Sequence, residues 1–123
     1  MKKRIDSFRY AFQGVADGLK AQVNFRIHLV CAAVAIVLGA IVGLSRVEWC
    51  VILFCCGLVI SLELLNTALE KLCDVVEPNK NEKIRVVKDM SAAAVLFAAI
   101  TALVIGLIIF IPKTGAVKIF SGG

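Results

Sequence analysis

Three long runs in this sequence carry almost no charge, and each is long enough to cross a bilayer as a helix. They are IHLVCAAVAIVLGAIVGLS (27–45), the stretch 47–69 that begins VEWCVILFCCGLVISL, and MSAAAVLFAAITALVIGLIIFI (90–111). Spanning hydrocarbon takes about 20 apolar residues. Hydrophobic residues make up 60% of the 123-residue chain, more than a core of this size could hide from water. The expected fold is an all-α membrane protein of one domain (1–123), with three transmembrane helices and a loop at 70–89.

The basic residues orient these spans. Lys2, Lys3, Arg4, Arg9, Lys20 and Arg26 precede the first, and Lys71, Lys80, Lys83, Arg85 and Lys88 lie between the second and third. Arg46, Lys113 and Lys118 fall on the other side. The positive-inside rule makes the N-terminus and the 70–89 loop cytoplasmic. The net charge of +5 then reflects topology and attraction to anionic lipid, not nucleic-acid binding. MKKRIDSFRYAFQG has charge but no apolar run, so a cleavable signal is not expected.

Ahead of the first span, Ile5, Phe8, Phe12, Val15 and Leu19 recur three and four residues apart, with Lys3, Arg9, Gln13, Asp17 and Lys20 opposite. This spacing predicts an amphipathic surface helix over 4–22, suited to the headgroup layer. It serves either as an anchor or as a lid over a site. Gly14 and Gly18 within it form a GxxxG pattern that suits close helix approach. NFRIH (24–28) is a polar junction in which Arg26 can snorkel to phosphates and His28 reads as structural. The short LSRVEW turn makes the first two spans an antiparallel hairpin, with Trp49 in the interfacial belt. Cys31, Cys50, Cys55, Cys56 and Cys73 form no CxxC pair and read as small packing residues. Pro78 and Asn79 mark a turn between helical segments, and the tail from Pro112 is expected to be mobile.

One segment breaks the apolar pattern. In LELLNTALEKLCD (62–74), Glu63, Asn66, Thr67, Glu70 and Asp74 stand at i, i+3, i+4, i+7 and i+11, on one helical face. An acidic residue inside a span costs roughly 2.5–3.5 kcal/mol on insertion scales, so it signals function by default. A desolvated carboxylate near the boundary can accept a proton from a lipid hydroxyl. A second at the aqueous end can hold Mg²⁺, which favours carboxylate and phosphate oxygens. Lys88 and Asp89 open the third span from the same side. The set suits phosphoryl transfer from a soluble donor to a membrane alcohol, but a proton or cation relay would use the same residues. GxxxxGK[ST] and the protein-kinase motifs are absent from the sequence.

ELLNTALEKLCD followed by KDMSAAAVL resembles the signature of the prokaryotic diacylglycerol kinase family, and FRYAFQG, NFRIH and the EW turn extend the likeness across roughly 5–112. The resemblance implies a homotrimeric lipid kinase of the bacterial inner membrane, using MgATP at sites shared between subunits. By that resemblance Glu63 is the general base and Asn66 orients Glu63 or the substrate. Glu70 is a Mg²⁺ and nucleotide ligand, Lys88 and Asp89 contact the phosphates and their metal, and Tyr10 lies near the nucleotide. This favours the lid reading of the surface helix. Gln22 stands where the family usually has a metal-linked glutamate, and Asn79 and Asn81 where nucleotide-contacting acidic and histidine residues are common. NFRIH, the EW turn and FIPK resemble the branch acting on undecaprenol, which is favoured over diacylglycerol as acceptor. The Gln22 departure also leaves open a non-catalytic membrane scaffold.

Overall fold

Four helices account for nearly all of the chain that the computed structural model describes, residues 2–113. They are α1 (Lys2–Ala21), α2 (Val23–Val42), α3 (Arg46–Val76) and α4 (Glu82–Lys113). No strand occurs among the described residues. The last three are each long and apolar enough to cross a membrane. The architecture is therefore the all-α one, with three candidate spans behind an amphipathic helix. The tail beyond Lys113 lies outside the described residues, and Pro112 sits inside the last turn of α4.

Two helices run further than hydropathy indicates. The segment 70–89 is helix, turn and helix, as the Pro78–Asn79 signal predicts: α3 continues to Val76, the turn occupies residues 77–81, and α4 begins at Glu82. Hydropathy marks where a helix leaves lipid, whereas the backbone hydrogen-bond ladder continues until a cap stops it. At 31 residues, α3 is about 46 Å long, well beyond a hydrocarbon core of about 30 Å. Its polar end must stand clear of lipid.

The caps explain the boundaries. Gly43 ends α2 at φ 76°, a left-handed conformation in which its N–H donates to the Gly39 carbonyl at 3.0 Å. Ser45 and Glu48 form a reciprocal capping box that starts α3: Glu48 N–H donates to Ser45 Oγ at 3.2 Å, and Ser45 N–H to Glu48 Oε1 at 2.9 Å. Lys113 Nζ, from the end of α4, pairs with the same Glu48 at 2.9 Å. The EW turn thus closes this end of the bundle. At the other end Asn81 Oδ1 caps α4, accepting from the Lys83 N–H at 2.9 Å.

α4 packs mainly on α3, α2 packs on α3 and also touches α4, and α1 meets α2 and α3 near the polar end. The buried face of α3 reads Ile52, Cys55, Val59, Glu63, Asn66, Thr67, Cys73. The apolar seam of the hairpin end therefore becomes the polar stripe without changing face. Gly18 is buried where α1 meets α3: a Cβ there would come within 2.9 Å of Leu64 Cδ2. Gly14 has open space, so half of the GxxxG pattern makes the close approach. Ile5, Phe8 and Phe12 remain exposed, leaving the apolar face of α1 free to meet lipid. All five cysteines are free thiols, with Cys55 and Cys73 buried.

Candidate active site

Glu63 is the most enclosed charged residue of the core, at 2% exposure, with Asn66 and Thr67 also buried. About 21 Å of helix separates it from Trp49, counted at 1.5 Å per residue. With Trp49 in the interfacial belt, the carboxylate lies toward the far boundary of the hydrocarbon. Two neighbours define its surroundings. Thr67 Oγ1 donates back to the Glu63 carbonyl at 3.0 Å, which keeps that hydroxyl from becoming a buried orphan. From α2, His28 Nε2 approaches Glu63 Oε2 to 3.6 Å. That is within ion-pair reach but beyond a good hydrogen bond.

Two turns further on, around Glu70, lies a second cluster. Gln22 interrupts the helix between α1 and α2 with an extended backbone (φ −131°, ψ 122°), and its Nε2 donates to Glu70 Oε2 at 3.2 Å. Asn66 Nδ2 reaches the other oxygen of Glu70 at 3.5 Å. Asn66 is thus turned toward Glu70 rather than Glu63, and its Oδ1 is buried without a hydrogen-bond partner. These side chains present oxygen donors, and an orphaned acceptor beside a carboxylate suits a hard cation completed by phosphate and water. Glu70 is the carboxylate that both amides touch.

The third group sits at the polar ends of α3 and α4. Asp74 Oδ1 accepts from Lys88 Nζ at 2.6 Å. These residues, with Asn79, Asn81, Arg85 and Asp89, line a recess of about 730 Å³. Lys88 precedes the apolar run of α4, and the hydrogen bond and charge of Asp74 hold its ammonium above the usual lysine range. It stays a cation at any physiological pH. Asp89 pairs with Arg85 at 2.6 Å. The structure therefore gathers Lys88, Asp89, Asn79 and Asn81 in one recess, and Gln22, Asn66 and Glu70 in another group. Tyr10 joins neither by a hydrogen bond; it is exposed on α1, with the Arg9 guanidinium 5.6 Å from its ring centroid.

An apolar groove of about 570 Å³ runs between α2, α3 and α4, lined among others by Ala35, Leu38, Cys55, Val59, Ala102 and Leu107, and by His28 at its polar end. Two features were not anticipated: the approach of His28 to Glu63, and Arg85 as part of the recess. For Arg85, the spacing to Asp89 was an available signal (i, i+4). For His28 no local spacing could reveal a contact between separate helices.

Fold and site together define an integral membrane protein with a polar stripe that is buried at Glu63, Asn66 and Thr67 and opens toward its polar end at Glu70 and Asp74. Residues 9–110 match the family model for prokaryotic diacylglycerol kinase. The chain is 36% identical over 107 residues to an undecaprenol kinase of Bacillus subtilis (strain 168), covering 87% of each chain. It is 39% identical over 107 residues to a diacylglycerol kinase of Synechocystis sp., covering 86% of this chain and 61% of that one. A diacylglycerol kinase of Haemophilus influenzae is 32% identical over 107 residues, covering 86% of this chain and 91% of that one. The chain belongs to the prokaryotic diacylglycerol kinase family and is a membrane-bound lipid kinase.

Proposed function

We propose that this kinase transfers the γ-phosphoryl group of ATP, with Mg²⁺, to the hydroxyl of undecaprenol in preference to diacylglycerol. The observation that carries the mechanism is the burial of Glu63 near the membrane boundary, beside the polar end of an apolar groove. A lipid tail lying in that groove brings its hydroxyl toward the carboxylate. Glu63 takes the hydroxyl proton as the lipid oxygen bonds to the γ-phosphorus and the bond to the departing ADP oxygen breaks. Lys88 supplies a fixed positive charge for the phosphates, with Arg85, Asn79 and Asn81 around it, and Asp89 sits beside them. Glu70, with the Asn66 and Gln22 amides, would hold Mg²⁺, which when bound neutralises phosphate charge. Tyr10 on the surface helix would lie near the nucleotide.

Exposed apolar side chains along α2, α3 and α4 leave room for neighbouring subunits as well as lipid, which fits a homotrimer with shared sites. The distribution of Lys and Arg supports an inner-membrane placement with the N-terminus and the 77–81 turn cytoplasmic. The lipid preference is supported by the NFRIH, EW and FIPK segments and by a relative named undecaprenol kinase that aligns over equal shares of both chains. The test is phosphotransfer from labelled ATP in detergent–lipid micelles, with undecaprenol and diacylglycerol offered separately. Faster product formation with undecaprenol is expected. Labelled phosphatidic acid as the main product would reverse the preference.

A further inference from the structure

Glu63 has a problem that its burial creates. Its side chain is 3% exposed, whereas that of His28 is 23% exposed. A base that gains a proton in each turnover must lose it before the next, and a carboxylate sealed from water cannot pass it directly to solvent. Among the described residues, the contacts of Glu63 point to one exit. The Thr67 hydroxyl is committed to a backbone carbonyl, and the Asn66 amide is turned to Glu70. His28 Nε2, at 3.6 Å, is the proton-accepting group within reach, and its ring lines the open groove.

We propose that His28 resets the site by taking from Glu63 the proton released by the acceptor hydroxyl. This rests on the reading of Glu63 as the base. The sequence of bonds is closed. The lipid O–H breaks to Glu63 as the phosphoester forms and ADP leaves. The proton then moves from the Glu63 carboxyl to the lone pair of neutral His28, leaving carboxylate and imidazolium. His28 finally releases it toward the polar end of the groove, and both groups regain their starting charge. A shift of a few tenths of an ångström brings the two atoms to hydrogen-bond distance. His28 acts through Glu63, as a positioning and relay residue.

Histidine is the side chain that commonly changes charge between about pH 5 and 8. The relay needs the lone pair of a neutral imidazole, which an imidazolium lacks. His28 approaches Glu63 of α3. The other titratable groups lining the groove are the thiols Cys31 of α2 and Cys55 and Cys56 of α3, and α4 contributes only non-titrating side chains such as Ala99 and Ala102. No other carboxylate or amine lines the groove among the described residues.

The experiment compares single-turnover and steady-state phosphotransfer in micelles with MgATP and the better lipid acceptor. Wild type, His28→Ala, His28→Gln and Glu63→Gln are assayed across pH, with oligomer integrity confirmed by size-exclusion chromatography. His28→Ala is expected to slow steady-state turnover on the order of 10²-fold, while the first turnover changes by no more than a few-fold. His28→Gln, which keeps a polar side chain of similar reach, is expected to lose the acid limb of the pH profile. Added imidazole is expected to restore His28→Ala in proportion to its neutral form. Wild-type turnover and pH dependence in both His28 variants, with Glu63→Gln inactive, would overturn the relay and leave the base in place. Equal slowing of first and later turnovers without imidazole response would also overturn it, making His28 a packing residue. Turnover by Glu63→Gln would remove the base itself, and the relay with it.

Discussion

Replacing Gln22 by glutamate exchanges an attraction for a repulsion, and the structure gives its size. Gln22 Nε2 donates to Glu70 Oε2 at 3.2 Å, and a hydrogen bond to a charged group contributes about 1.5–3 kcal/mol. Gln22→Glu removes that donor and brings a second carboxylate within the same reach. Two like charges at this separation repel by about 1 kcal/mol in bulk water and about 5 kcal/mol at the effective dielectric of a protein surface. Both residues are half-buried, so the repulsion falls between these limits. A divalent cation reverses the sign, because the two carboxylates then become two ligands. Without divalent cations the variant is therefore expected to be less stable than the parent by roughly 2.5–8 kcal/mol. Its Mg²⁺ midpoint is expected to fall at least about tenfold, which adds about 1.4 kcal/mol of stabilisation at saturating metal. The assay is thermal unfolding of the detergent-solubilised protein in EDTA and across a Mg²⁺ titration, above neutral pH so that a shared proton does not mask the repulsion. Equal stability in EDTA together with an unchanged Mg²⁺ midpoint would refute the claim that Gln22 and Glu70 face a common cation site.

Other perturbations separate packing from chemistry. Gly14→Ala is expected to be neutral or to stabilise α1 by up to about 1 kcal/mol, since the site is open and alanine favours helix. Gly18→Leu is expected to undock α1 and raise the KM for ATP, measured alongside thermal stability; equal behaviour at the two glycines would contradict the packing. Asn81→Ala removes the α4 cap and is expected to cost about 1 kcal/mol in thermal stability, with Asn81→Ser recovering most of it. Lys88→Ala is expected to raise the KM for ATP at least about tenfold with little change for the lipid, given the strength of charge-assisted phosphate bonds; an unchanged KM would remove Lys88 from the nucleotide site.

Much of this was legible in the sequence because lipid imposes a simple rule. A run such as 90–111 has to be a helix, and a glutamate in 47–69 has to face something other than lipid. The i, i+3, i+4, i+7 spacing from Glu63 to Glu70 placed the stripe on one face, which is the face α3 buries. The extents of α3 and α4 were harder to read, because residues 70–76 and 82–89 mix charged with apolar side chains and hydropathy is silent once a helix leaves the membrane. Gln22 shows no breaker chemistry, yet the chain turns there; its long-range bond to Glu70 is invisible to local pattern. His28 was unreadable for the same reason, since its partner is on another helix. Asn81 illustrates the reverse case, in which a loop residue set aside for nucleotide contact also caps a helix.

The central claim is that a buried carboxylate at the membrane boundary takes the acceptor proton. The most direct measurement is the single-turnover rate of phosphotransfer to the lipid in Glu63→Gln against wild type, with helicity and oligomer size held equal. A loss on the order of 10²- to 10⁴-fold, the range for removing a general base, is the expected result. A rate within a few-fold of wild type would contradict the account and leave the stripe as helix-packing polarity.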